Sequence, residues 1–424
     1  MKRIRQYRIW LTCIAIAAVC TGIIYYIHYV RKNIPDKIYM DSFSDGTIEV
    51  GLPFVGTVKS EEEAVPVAVN LMEPLTINSG DVSEYKFTVN LFGTIPIKEI
   101  SVSVNNTRHV IACGIPVGIS IDTDGICVVD TGDVTTSMGV IEAPARGILM
   151  AGDYIYSVNG KNVYTIRELM DEISSGGSEY LCLGVRRNGE NIETRIKPVC
   201  DSDGVYKIGV WVRDDCQGLG TLTYVDEDND FGTLGHSISD STSGKAVEIK
   251  SGRLYTAHIW SIVKGKEGKP GEVIGSINYG EDNYIGDIEE NSDIGVYGKA
   301  NDNIKAYVDN VYMQVAYKQD IEEGEAFVRT FADGSIKDYA IDITEIHFSE
   351  DYRNKGIVFT VTDEKLLSCT GGIVQGMSGS PILQDGRIVG AVTHVLVNDP
   401  TRGYGIFAEN MVQSADAAAQ REAA

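Results

Sequence analysis

A serine set in Gly-x-Ser-Gly-x-Pro, within "QGMSGSPILQDGRIVGAVTH" (375–394), is the residue of this chain best placed to do chemistry. A serine hydroxyl is a weak nucleophile until a base takes its proton, and the oxyanion formed on attack needs donors fixed beforehand. The glycines beside Ser378 permit a tight bend. With no side chain at 376 or 379 in the way, the backbone amides of Gly376 and Ser378 can converge as such an oxyanion hole. The base must come from six histidines. His28 lies in a long apolar run and His109 leads into an alternating strand. His258 and His347 sit inside alternating strand runs, where a half-buried structural histidine is expected. His394 is on the strand that directly follows the serine's hairpin. His236, in "FGTLGHSISD", follows a strand and lies among small residues at a loop, and a neutral imidazole suits a base near neutral pH. His236 is therefore the candidate base. The orienting acid stays open among sixty carboxylates. Asp363, in "FTVTDEKLL", leaves a strand shortly before the serine loop, and Asp240, four residues after His236, is its rival.

These residues need a rigid frame, and the periodicity says which. From about residue 200 onward the chain reads as short alternating runs ("KIGVWV", "GTLTYV", "NIKAYV", "EAFVRTFA", "IDITEIHF", "GIVFTV") separated by Gly, Asn and Asp turns. Many short strands at this spacing predict a β-barrel or sandwich, and the length suits two small barrels. "PILQDGRIVGAVTH" predicts a hairpin turning at Asp385-Gly386; only the last residues, "AENMVQSADAAAQREAA", look helical. Between 107 and 198 the pattern changes. "CGIPVGISI" places a glycine turn before an alternating strand, and "APARGILMAGDYIYSVNGKNVYTIRELMDEISS" gives a bend, a strand, an Asn159-Gly160 turn and a helix. Asn-Gly favours a type I′ turn. Thr165 with Glu168 predicts a capping box. Ile166, Leu169, Met170 and Ile173 fall on one helical stripe.

Composition bounds the rest. Hydrophobic content of 43% with 23% charged residues describes a globular protein. "IWLTCIAIAAVCTGIIYYIHYV" (9–30) carries no formal charge and is long enough to cross a hydrocarbon core. Trp10 near one end and Tyr25, Tyr26 and Tyr29 near the other fit interfacial aromatic belts. The run is long for a signal peptide and no good Ala-x-Ala site follows, so it reads as a single-pass anchor. Lys2, Arg3, Arg5 and Arg8 precede it, which keeps residues 1–8 cytoplasmic and sends the bulk across. The first 32 residues hold six basic side chains and no acid, so the net charge of −23 comes wholly from the remainder. That acidity argues against a nucleic-acid partner. Residues 31–106 read as a juxtamembrane stalk with leading strands, of which "EYKFTVNLF" and "IKEISVSVN" form a pair. Eight scattered cysteines, with no Cys-x-x-Cys, imply neither a zinc site nor a dense disulfide framework.

Three resemblances follow from these motifs. The order of "GILMAGDYIYSVNGKNV" plus helix resembles a PDZ domain over 107–198, which implies that Val117, Gly118 and Ile119 form the loop holding a peptide carboxylate. Glycine, serine and hairpin resemble chymotrypsin-like peptidases over 199–424, where the base precedes the serine, against His394. The anchor, the PDZ-like module, "GTLTYVDEDNDFGTLGHSISD" and "TDEKLLSCTGGIVQGMSGSPILQDGRIVGAVTHVLVNDPTRGYGIFAENM" together resemble the stage IV sporulation protein B peptidases of endospore-forming bacteria. The fold implied is mostly β: a PDZ-like domain followed by a chymotrypsin-like double β-barrel, behind a transmembrane helix. The function implied is a serine endopeptidase exported into the space between forespore and mother-cell membranes. There it would cut the regulator of an intramembrane processing protease, activating a mother-cell sigma factor, and would cut its own chain in trans. The resemblance makes His236 the base, Ser378 the nucleophile and Asp363 the acid, with a Ser–His dyad as the alternative. No metal or organic cofactor is implied. Met377 stands where many relatives carry aspartate, which removes activation by a freed N-terminus. A reading of another class is an inactive anchored scaffold that binds protein tails.

Overall fold

The computed structural model describes residues 2–41, 47–48, 55–60, 67–70, 75–76, 84–91, 95–105, 107–240 and 244–422. Helix α1 (Lys2–Asn33) contains an apolar stretch, Gln6–Lys32, of mean hydropathy 2.0. Its last turn meets the body of the protein. Val30 and Ile34 are buried, and Lys98 reaches the Ile34 carbonyl and pairs with Asp36 at 2.8 Å. Residues expected to form a stalk with a pair of strands instead supply a five-stranded sheet. Its order is Lys37–Asp41, Ile95–Asn105, Glu84–Leu91, Val55–Ser60, Val67–Asn70, with only the first pair parallel. The expected pair is there, Phe87 opposite Ile100. The remaining stalk residues, most of the acidic run 60–63 included, lie outside the described residues.

Strand β1 (His109–Thr131) carries two cores in succession. Ile111, Cys113, Ile115, Val117, Ile119 and Ile121 alternate onto one face and join a barrel core with Leu222, Phe231 and Val296. Beyond Gly125, whose φ is +100°, Ile126 and Val128 join a different core. That second core belongs to the module made by β2 (Tyr154–Val158), α2 (Ile166–Gly176), β3 (Leu181–Arg187) and β4 (Glu190–Ile196). Its sequence signals are realised locally. Asn159 and Gly160 have φ of 50° and 80°, and Thr165 with Glu168 closes a reciprocal capping box. Leu169 and Ile173 are buried, but Met170 of the expected stripe is 54% exposed.

Strand β5 (Val210–Asp226) then returns antiparallel along the whole of β1, from Val210 opposite Thr131 to Asp226 opposite Val110. The PDZ-like module is thus inserted into a barrel between two strands that serve both. The ring is made by β1, β5 and β6 (Asp230–Thr233) with β7 (Ile249–Val263), β8 (Tyr284–Ser292) and β9 (Gly295–Ala300). β6 pairs β9, β9 pairs β8, β8 pairs β7, and β7 closes on β1 with Leu254 opposite Ile119. The second barrel is closed by β10 (Gly324–Phe331), β11 (Ile336–Ile346) and β12 (Ile357–Val361) with β13 (Pro381–Gln384), β14 (Arg387–Leu396) and β15 (Asp399–Phe407). Val328, Ile341, Phe359, Met377 and Ile382 fill it. Each such fully buried side chain contributes about 1.5–3 kcal/mol. The other face of β1, with Val110 and Ala112, packs with Tyr224, Ile388 and Met411 where the barrels meet. The architecture is the mostly β double barrel expected, with the module nested inside the first barrel.

Candidate active site

The bend Gln375–Pro381 crosses the seam between the barrels. Val374 and Gln375 pair in parallel with Gly271 and Glu272 of the first barrel's hairpin. Three carbonyls of the bend face that barrel: Gly376 O accepts Thr221 Oγ1 at 2.9 Å, Ser378 O accepts the Thr221 amide at 2.9 Å, and Gly379 O accepts Thr223 Oγ1 at 2.7 Å. Gly379 has φ +92°, and a Cβ there would stand 2.0 Å from the Thr221 carbonyl oxygen and 2.6 Å from the Leu234 nitrogen. Only glycine fits. Among the described residues neither the Gly376 nor the Ser378 amide donates to a backbone carbonyl of the bend. Met377 between them is buried in the second barrel's core, where a methionine fits and an aspartate would need a partner.

A cleft of about 460 Å³ opens beside the bend, lined by Gly218, Leu219, His236, Gly376, Ser378 and His394. The structure therefore brings Ser378 and His236 into one cavity. His236 is aimed by two successive left-handed residues after β6, Leu234 at φ 68° and Gly235 at φ 71°. Positive φ is costly for leucine, and a strained turn beside a cleft is a mark of functional sites. At Gly235 a Cβ would fall 2.8 Å from methyl carbons of Ile406 and Thr393. The His236 Nδ1 lies 2.9 Å from the Ser237 carbonyl oxygen. A carbonyl can only accept, so Nδ1 carries the proton and Nε2 keeps the lone pair that a general base needs. Burial pushes the His236 pKa below its ordinary value; the Ser237 bond opposes it. The ring stands 5.3 Å from that of His394, whose pKa burial, His236 and Lys355 bring down to about 4. Both imidazoles are neutral at neutral pH. The Ser378 hydroxyl donates to Thr393 O at 3.0 Å, and among the described residues no hydrogen bond joins it to His236.

Two expectations fail here. Asp363 does not orient His236. Its carboxylate accepts the amides of Lys365 and Leu366, both at 2.9 Å, as N-cap of α3 (Glu364–Thr370). A short acid between a strand and an apolar helical run is what a helix start selects, and that preference claims the side chain. Its rival Asp240, only 2% exposed, is paired with Arg213. Among the described residues no carboxylate completes a triad; the Ser237 carbonyl occupies the place on Nδ1. Being backbone, it leaves no mark in a sequence.

Val117, Gly118 and Ile119 do not form a carboxylate-binding loop either. They lie mid-strand, paired with Gly220, Leu219 and Gly218 on one side and with Thr256, Tyr255 and Leu254 on the other. Their amides belong to the ladder and Val117 and Ile119 to the barrel core. A comparable turn stands at Ile208-Gly209-Val210, where Gly209 has φ +68° and its carbonyl holds the Gly132 amide at 2.8 Å. The strand leaving that turn runs beside α2, whose Ile166 amide donates to Asp214 at 2.7 Å. The signal was in the sequence, since "KIGVWV" repeats the glycine-before-strand pattern of "PVGISI".

Several known proteins are similar to parts of the chain. The PDZ domain of an SdrC-like protein from Listeria monocytogenes is 26% identical over 22% of this chain and 90% of its own, with a TM-score of 0.19. The active form of the Rv3671c protease from M. tuberculosis is 14% identical over 48% of this chain and 74% of its own, with a TM-score of 0.27. The HtrA-type protease AlgW, solved with a decapeptide, is 10% identical over 49% and 55%, with a TM-score of 0.28. No curated protein matches the chain significantly. Residues 204–412, which hold His236, Ser378 and the whole second barrel, match the family described as SpoIVB peptidase S55, and this part of the chain belongs to that family of serine peptidases.

Proposed function

We propose that the chain is a membrane-anchored endopeptidase working through Ser378 and His236 alone, as a dyad. The observation that carries this reading is the shared cleft, with His236 Nε2 left unprotonated by the Ser237 carbonyl. For reaction, the Ser378 hydroxyl turns from Thr393 O toward Nε2, gives up its proton and attacks the scissile carbonyl. The amides of Gly376 and Ser378 receive the oxyanion. His236 passes the proton to the leaving amine, and a water then hydrolyses the acyl-enzyme by the same steps. Labelling by a fluorophosphonate probe tests this: Ser378→Ala and His236→Ala should both abolish it. Labelling that survives in His236→Ala would defeat the dyad. Absence of labelling in the folded wild type would favour an inactive anchored scaffold, a reading to which the Ser378–Thr393 bond lends some support.

The family and the helix support a finer reading. Four basic residues at the start of α1, ahead of its uncharged run 9–30, favour export of everything after it. The chain would then stand between forespore and mother-cell membranes during sporulation and cut a regulator of an intramembrane protease. Self-cleavage in trans near the anchor would release soluble forms. The turn at Ile208-Gly209-Val210, with the strand edge beside α2, is the suited place for a protein C-terminus in the PDZ-like module. Cleavage of purified candidate partners by wild type but not by Ser378→Ala, with the cut sites sequenced, tests the assignment.

A further inference from the structure

The short loop after His236 is held at two points beyond Ser237. At the first, Asn291 of β8 clamps the backbone of Ile238. Its Oδ1 accepts the Ile238 amide at 2.8 Å, and its Nδ2 donates to Ile238 O and Val247 O, each at 2.9 Å. Further on, Asp240 is buried against Arg213, while its backbone amide donates to Lys245 O at 2.8 Å. A carboxylate so deeply buried is kept only where it is paired. Arg213 belongs to β5, at the point where that strand leaves the PDZ-like module for the barrel, between bulges at Trp211/Val212 and Arg213/Asp215.

We propose that Asn291, acting through Ile238, and Arg213, acting through Asp240, are positioning residues of the peptidase that hold the Ser237 carbonyl against His236. A backbone carbonyl has no rotamer of its own; it points where its loop is pinned. In this chain it does what a carboxylate does in a triad: it fixes the tautomer and orients the ring. Neither positioning residue reaches the substrate. The groups facing His236 are Ser378 and His394, with Lys355 beyond His394. Because Arg213 lies on the strand that borders the module's groove, the pinning also joins that groove to the base through one ion pair. The inference rests on His236 being the base.

Full-length Asn291→Asp and Asp240→Asn test it. The first keeps an acceptor for the Ile238 amide but loses both donated bonds; the second removes the charge at constant volume. Each should lower kcat about ten- to a hundredfold with KM unchanged, a part of the roughly 10²–10⁴-fold that a positioned base supplies. Each should also move the acid limb of the kcat/KM profile to lower pH, because the carbonyl bond favours the protonated ring. Arg213→Gln should behave like Asp240→Asn, and Arg213→Lys should restore most of the rate. An unmoved acid limb with uniformly reduced activity would mean a structural role only and would overturn the proposal. Activity persisting in His236→Ala would instead overturn the assignment of the base. Should the variants misfold, nitrogen NMR of the histidines in full-length Ser378→Ala decides: a His236 protonated on Nε2 rather than Nδ1 refutes the proposal.

Discussion

The sharing of β1 and β5 makes a quantitative prediction about removing the PDZ-like module. A deletion at the boundaries that the sequence suggests, 107–198, removes the whole of β1, including the half that builds the barrel. Six side chains that face the barrel core go with it, from Ile111 to Ile121. At about 1.5–3 kcal/mol each, an upper figure because the unfolded chain already buries some surface, this is on the order of 10 kcal/mol. Whole domains are stable by only about 5–15 kcal/mol, so the barrel should not close. An excision inside the insertion has a different outcome. Asp122 and Asp215 are partners in the ladder, so joining the chain just beyond them with a two-residue Asn-Gly turn keeps the β1–β5 pairing as a hairpin. The assay is fluorophosphonate labelling alongside limited proteolysis. The 107–198 deletion should be degraded and unlabelled; the inner excision, made with Asp240→Asn because Arg213 leaves with the module, should resist proteolysis and label at the rate of Asp240→Asn alone. Equal folding and labelling of the 107–198 deletion would refute the shared-strand reasoning. Measured against Asp240→Asn, the inner excision reports what the module does for substrate cleavage.

Other outcomes follow from the site. Asp363→Asn should retain activity and stability, since asparagine caps a helix as well as aspartate does, whereas Asp363→Ala should cost about 0.5–2 kcal/mol in a denaturant melt. A severe kcat loss in Asp363→Asn would restore the carboxylate to a catalytic role. Gly379→Ala places a Cβ 2.0 Å from the Thr221 carbonyl oxygen; the bend must shift by about 1 Å, and labelling should slow by about a hundredfold at that displacement. Normal labelling would show that the bend is not fixed by Thr221. Burial lowers the His236 pKa, so the acid limb of kcat/KM should fall below the ordinary histidine value rather than at it. Stability should depend on pH through His394, whose folded value near 4 lies below its unfolded value. The unfolded chain takes up a proton that the fold refuses, so stability is complete above about pH 6.5 and declines as pH falls toward 4. Denaturation midpoints at both ends of that window should differ less in His394→Gln.

Local chemistry was readable from the sequence; distant pairing was not. The Asn159-Gly160 turn, the Thr165–Glu168 box and the hairpin after Ser378 rest on neighbours a few residues apart, and all three stand in the structure; His236, chosen by elimination, lines the same cleft as Ser378. The carboxylate loop was misplaced because "PVGISI" and "KIGVWV" carry the same local signal. What separates them is which strand borders α2, a fact set by pairing across about ninety residues. Asp363 misled for a related reason: an acid after a strand can turn into a cleft or cap the next helix, and only the folded chain chooses. The Ser237 carbonyl lay beyond any reading by residue type.

The hydrogen bond from Ser378 to Thr393 O sets how deeply the enzyme can be latent. A neutral hydrogen bond is worth about 0.5–1.5 kcal/mol net, so it lowers the population of the attacking rotamer by roughly two- to thirteenfold. A lock this weak differs in kind from a zymogen, where the oxyanion bend itself is unmade. Binding of a substrate that excludes water from the cleft supplies more than enough to turn the hydroxyl. With Met377 sealed in the core and no charge there to be paired, nothing at the bend stores a larger barrier. A peptidase so nearly ready must be restrained by what reaches its cleft and when, and a cleft joined to one nested module is restrained through it.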